Sequence, residues 1–298
     1  MTRSSTPGRS RWRRWLPVIL GIAVVGGAVG TAAVATDTFR AGYYFGRVVA
    51  HVDLALFPPP DRTTPPTVEV TDAPSPSPTP MPSLAPGATP TPAPVRRPMD
   101  VRIVPNPKAV FASEIQDTFC AAAGVQMVLT ILGHGSPSNA FQRTLESRVG
   151  EWDSYRDSHD GGWGPSAMSL ALAAYGVPGY QVRAYTTRAA ALRDAAAALT
   201  RTHEPVLLIA WYGAHTWVMS GYRATADPTI FPDAQVTGTY ILDPWYPRIS
   251  SIWGPSDPPG TFQNAAEMVR NYLPWKRPEG LYRDRDGKFI AVVPTVTG

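Results

Sequence analysis

A thiol becomes a nucleophile when something steadies its anion and something else takes its proton. The 298-residue chain has one cysteine, Cys120, within Gln116-Asp117-Thr118-Phe119-Cys120-Ala121-Ala122-Ala123-Gly124. Behind it an apolar run (Val125, Met127, Val128, Leu129, Ile131, Leu132) ends at Gly133. Thr118 fits an N-cap, so the spacing predicts a helix with Cys120 in its first turn. At that position free backbone N–H groups and the helix dipole favour a thiolate. A lone cysteine cannot form an intramolecular disulfide, so the fold must rest on its apolar core.

A cysteine nucleophile needs a base, and there are five histidines. His51 precedes a proline-rich stretch, His134 follows a helix end, and His203 stands in a loop before Pro205. His159 belongs to the acidic loop Asp153–Asp160, whose spacing does not match a calcium loop. No metal-ligand set and no cofactor motif is read. His215 is different, because it opens the apolar strand His215-Thr216-Trp217-Val218-Met219-Ser220-Gly221-Tyr222. A later strand ends in Ile241-Leu242-Asp243-Pro244. If the two pair antiparallel about a loop centred near Thr229, His215 faces Asp243, with Cβ atoms about 5 Å apart. A carboxylate there would orient the imidazole. Gln116 is placed to aim its amide at a developing oxyanion, beside the N–H of Cys120. Each residue has a plainer reading: a small buried hydrophobe, a packed strand histidine, an Asp-Pro turn. Their order and context favour the chemical one.

A long preamble precedes the helices and strands that carry these groups. Residues 1–14 are basic, and Trp15 to Thr36 carries no charge over 22 residues. That length spans about 33 Å as a helix, enough for a bilayer core. Positive charge on its N-terminal side predicts a cytoplasmic N-terminus and an exported remainder. Ala33-Val34-Ala35 keeps a cleavable signal peptide open as the alternative. Residues 37–57 read as a membrane-proximal helix. Residues 58–98 read as a disordered proline-rich linker, a spacer between membrane and domain, since 15 of the 41 are proline. The folded domain is expected over 99–298.

Within it, helices are expected over Asn139–Val149, Pro165–Tyr175, Thr187–Thr200 and Ala265–Tyr272. Strands are expected over Pro205–Tyr212, Ala214–Arg223, Thr237–Asp243 and Lys288–Val293. Helices first and strands later predict an α+β domain, N-terminal helices packed on an antiparallel sheet. The formal charge of +4 sits in the first 40 residues, which hold six arginines against one aspartate. No basic face, and so no nucleic-acid partner, is expected of the domain.

Gln-x-x-x-Cys opening a helix, Trp163-Gly164-Pro165 leading the next, Pro205–Trp211 before Ala214–Tyr222, and Ile241–Pro244 together resemble a papain-like cysteine peptidase. Within that group the chain is most similar to the bacteriocin-processing branch, family thirty-nine. The resemblance covers roughly residues 110–250. It implies Cys120 as nucleophile, His215 as general base and acid, Asp243 as orienter and Gln116 as oxyanion donor. It further implies a peptide or protein substrate, and the N-terminal segments place such a hydrolase on a membrane tether, extracytoplasmic. Ala121 stands where the family carries glycine, and Gln116 is closer to the cysteine than in many relatives. No nucleotide-binding or transporter segment follows, so leader-peptide processing is not carried over. Other readings remain: a wall-peptide amidase or transglutaminase-like acyl transferase, or a silent domain that binds a cell-wall or protein partner.

Overall fold

The strand Val206–Ala210 is apolar at every position, which only a sheet covered on both faces can accommodate. Leu207 and Ile209 point into one core and Val206, Leu208 and Ala210 into another. The computed structural model that shows this describes Leu56 and residues 60–71, 93–158, 162–276 and 280–296. By contacts the chain divides between Pro58 and Pro59, and these cores belong to the unit Pro59–Gly298.

Its strands are β1 (Val68–Val70), β2 (Met99–Arg102), β3 (Tyr180–Tyr185), β4 (Val206–Ala210), β5 (His215–Ala224), β6 (Val236–Leu242), β7 (Ile249–Ser250), β8 (Gly254–Pro255), β9 (Thr261–Asn264) and β10 (Phe289–Pro294). Its helices are α1 (Pro107–Val110), α2 (Cys120–Ile131), α3 (Asn139–Ser147), α4 (Pro165–Ala174), α5 (Arg188–Thr202) and α6 (Ala265–Asn271). Eight strands form one sheet in the order β1-β3-β10-β4-β5-β6-β9, and β2 pairs with the outer half of β5. All pairs in it are antiparallel except β1–β3. Helices α2, α3 and α4 cover one face, while α5 and α6 cover the other. The expected mixture of helices on a sheet is present, with one more helical layer than the sequence pattern predicts.

The ends of these helices follow their sequence. Ser138 and Thr187 cap α3 and α5 by accepting from Phe141 N–H and Ala190 N–H. Gly133, at φ 79°, lets the chain turn away after α2. Helix α2 departs from expectation at its start: Phe119, not Thr118, takes the N-cap position, and no side chain caps it. Its first N–H groups are left without a side-chain partner. Gly124 then brings α2 close to β5, since a Cβ there would meet Thr216 Cγ2 at 2.9 Å.

The proline-rich spacer has a different boundary from the one expected. Pro60 O accepts from Tyr155 N–H, Ser154 Oγ bridges the Arg62 backbone, Asp61 pairs with Arg156, and Glu69 pairs with Lys288. Residues 60–70 therefore strap the folded unit, and β1 adds to its sheet edge. The physical reason is local. Thr67 to Ala73 is free of proline and alternates valine with a charge, so it can strand-pair. The segments expected as a membrane span (15–36) and a membrane-proximal helix (37–57, Leu56 apart) lie outside the described residues. Among the described residues no helix is long and apolar enough to cross a membrane.

Candidate active site

Two neighbouring strands and one helix start converge on a cavity of about 310 Å³. Cys120, half-buried at the start of α2, and His215, at the start of β5, both line it. Asp117, Asp157, Trp163, Met168, Trp275 and Tyr282 contribute to its walls.

The turn that delivers His215 is strained. Trp211 and Tyr212 have φ values of 52° and 61°, a left-handed conformation that residues with a Cβ rarely adopt. Gly213 follows at 95°, and a Cβ there would strike the Trp275 ring. This turn folds Trp211 back over the imidazole, ring centroids 4.0 Å apart and nearly parallel. Trp253 stacks on the far side of Trp211, and Trp245 meets His215 edge-on. These indoles close the second core and also wall His215 off from water.

His215 Nε2–H donates to Asp243 Oδ1 at 2.7 Å, with both side chains almost fully buried. Trp245 N–H donates to the same oxygen at 2.9 Å, which fixes the carboxylate. The contact is not made in the register that the sequence arithmetic predicts. Val218 pairs with Leu242, so one further step would set Asp243 opposite Trp217, and His215 is reached diagonally. Irregularities between Met219 and Gly221 and between Arg223 and Ala224 interrupt the register. A displacement of two residues leaves the side chains on the same face, which is why the pair still forms.

Burial pulls the His215 pKa down, but the Asp243 charge and hydrogen bond, with Cys120 beside it, raise it to about 10. With Nε2 engaged by Asp243, the other ring nitrogen is the one free to serve Cys120. Cys120 Sγ, a His215 ring nitrogen and a Glu114 carboxylate oxygen all lie within 4.8 Å of one another. The sequence pattern assigns Glu114 no part. It is buried, and burial pushes its pKa up to about 7 against the pull of His215 and Arg248. Arg248 Nη1 sits 3.2 Å from Glu114 Oε1 and donates to Asp117 Oδ1 at 2.7 Å.

Gln116 is not brought to this group. It is exposed, is not among the cavity-lining residues, and its carbonyl accepts from Phe119 N–H in the turn before α2. Ala121 is buried and lines the cavity. His134 follows the end of α2, as expected, whereas His203, expected in a loop, is the left-handed C-cap of α5, which runs two residues further than the pattern predicts. His159 lies outside the described residues. The acidic loop has a structural use: both Asp157 oxygens accept from the first N–H groups of α4, at Ser166 and Ala167. A Cβ at Gly164 would collide with that carboxylate.

Among the described residues Glu114, Cys120 and His215 are the one group of such side chains close enough to share an ion. Arg248 already supplies positive charge against Glu114, and Asp243 occupies Nε2. That arrangement suits proton exchange better than cation binding.

No protein-family model and no curated protein matches the chain. Among solved structures it is similar to a double-glycine-motif protease from an AMS/PCAT transporter, determined in complex with its leader peptide. The two are 16% identical, with 62% of this chain and 91% of that chain covered and a TM-score of 0.31. At that level the similarity adds nothing to what the side chains themselves show.

Proposed function

We propose that the chain is a papain-like thiol hydrolase acting on peptide or amide bonds, with Cys120 as nucleophile, His215 as acid and base, and Asp243 as orienter. The observation that carries this reading is the His215–Asp243 bond through Nε2, which leaves the opposite ring nitrogen for the only sulfhydryl in the chain.

Cys120 Sγ gives its proton to His215 and bonds to the substrate carbonyl carbon, and the π pair moves to oxygen. Uncapped N–H groups at the start of α2 are available to that oxyanion. When the pair returns, the C–N bond breaks and the amine leaves with the proton from the imidazolium. Water, deprotonated by His215, then cleaves the thioester and regenerates the thiol. Asp243 holds the ring in the tautomer that both steps require.

The cavity is small, and the aromatic walls around it suit a few residues of an extended peptide. The N-terminal arginines and the uncharged stretch 15–36 support a membrane-tethered, extracytoplasmic location, with 37–57 next to the membrane and the proline-rich residues as spacer. A degenerate peptide library incubated with the full chain tests the reaction. Cleavage products should appear by mass spectrometry with the wild type and be absent with Cys120→Ser. An intact library in both samples would contradict peptide hydrolysis.

A further inference from the structure

Glu114 is the unexplained group of the site. Its side chain is wholly enclosed, and its Oε2 has no hydrogen-bond partner. Chance does not hold it there, because the backbone on both sides is clamped. Gln142 accepts from Ile115 N–H at 2.8 Å and donates to Ser113 O at 3.0 Å. Glu114 N–H donates to Pro244 O, beside Asp243, and Arg248 Nη2 donates to Glu114 O at 2.9 Å. Gln142 is itself fixed by buried Gln126.

The charges facing Glu114 come from four elements. His215 is on β5, Cys120 is on α2, Asp117 is in the turn before α2, and Asp243 and Arg248 follow β6. Arg248 is shared between Glu114 and Asp117, whose carboxylate is 64% exposed and screened by water, and Asp243 is bound to His215. Enclosed at the centre are one imidazolium and two acids, a carboxyl and a thiol, within 4.8 Å. A poorly solvated site can hold one anion opposite one cation far more easily than two. The two acids therefore compete for the position opposite His215.

Resting on the thiol-hydrolase reading, we infer that Glu114 is a positioning residue that must be protonated for Cys120 to carry the negative charge. As a neutral acid it has an O–H to offer the sulfur anion, through the oxygen that now lacks a partner. Once ionised, it becomes the counter-ion of His215, and its charge repels the thiolate. Its elevated pKa places that exchange near neutrality, so the enzyme would be an acid-side hydrolase that is switched off as pH rises. Alkaline silencing by a carboxylate is the reverse of what an isolated Cys–His pair shows.

The test is alkylation of the full chain with iodoacetamide from about pH 5 to about pH 9, for wild type and Glu114→Gln. The single cysteine makes the adduct unambiguous by mass spectrometry. Wild-type reactivity should be high at about pH 5 and fall as the pH passes about 7. Glu114→Gln should match it at acid pH, show no fall, and exceed it by about tenfold or more at about pH 8. Superimposable profiles, or a variant slower throughout, would overturn the role of Glu114 while leaving the hydrolase reading intact. A wild type no faster than its own denatured chain at every pH would remove the reading and this inference together. If Glu114→Gln does not fold, infrared titration of the wild type decides. A protonated carboxyl band should vanish near pH 7, and at lower pH after alkylation by iodoacetamide, because coupling between two sites is reciprocal. A band that alkylation does not move would overturn the inference.

Discussion

Two buried charge clusters border the same cavity, and they are built on opposite principles. Asp157 and Arg285 form the first. Arg285 Nη2 meets Asp157 Oδ1 at 2.7 Å, Nη1 meets its carbonyl, and Nε reaches Thr67 Oγ1 on the strap. Both Asp157 oxygens also receive N–H groups from α4. Every polar atom there has a partner, and the result ties three segments together. The second cluster, Glu114, Cys120, His215, Asp243 and Arg248, leaves Glu114 Oε2 unpartnered and a thiol half-open to the cavity. A saturated ion pair holds structure. An unsaturated one has room for a reacting atom.

Substitution should separate the two clusters. The largest effect is expected at Asp243→Asn, which keeps shape but favours the wrong imidazole tautomer. Peptide cleavage per folded molecule should fall roughly 10²–10⁴-fold, far beyond what any drop in the denaturant midpoint accounts for. Arg285→Met should do the reverse. Leaving Asp157 buried and unpaired costs about 3–5 kcal/mol of stability, read as a lower urea midpoint, while folded molecules keep Cys120 reactive. If both variants lost stability and activity in equal measure, the division between the clusters would fail.

A smaller effect concerns pH. Glu114 binds its proton more tightly folded, at about 7 against an ordinary value of 4.5. Its stabilising contribution is thus complete below about 4.5 and lost as pH climbs to about 7. His215, raised from 6.5 to about 10, loses its contribution over that higher window. The urea midpoint should therefore decline in two stages between about pH 5 and about pH 10, and Glu114→Gln should erase the first alone. A midpoint that rises across the lower window would contradict the raised carboxyl.

The saturated cluster is hidden in the sequence and the reactive one half-visible, for reasons of distance along the chain. Cys120 announces itself as a lone thiol at a helix start, and β4 and β5 as apolar runs of strand length. Asp243 is legible because parity survives a two-residue slip, even though the β5–β6 irregularities are not. Nothing in the sequence marks Glu114, because its burial depends on Pro244 and Arg248, more than a hundred residues away. Gln116 has the right chemistry, yet its turn faces outward. The strap and β3 escape a sequence reading for opposite reasons. Prolines around Val68–Val70 mask a strand, and Tyr180–Tyr185 is obscured between two stronger helical patterns.

The central claim is that His215 activates Cys120. The most direct measurement is the iodoacetamide alkylation rate of the folded full chain at about pH 6, with and without His215→Ala. The wild type should react faster than its own denatured chain, and His215→Ala should lose that advantage by roughly 10²-fold or more. Equal rates for the two folded proteins would contradict it.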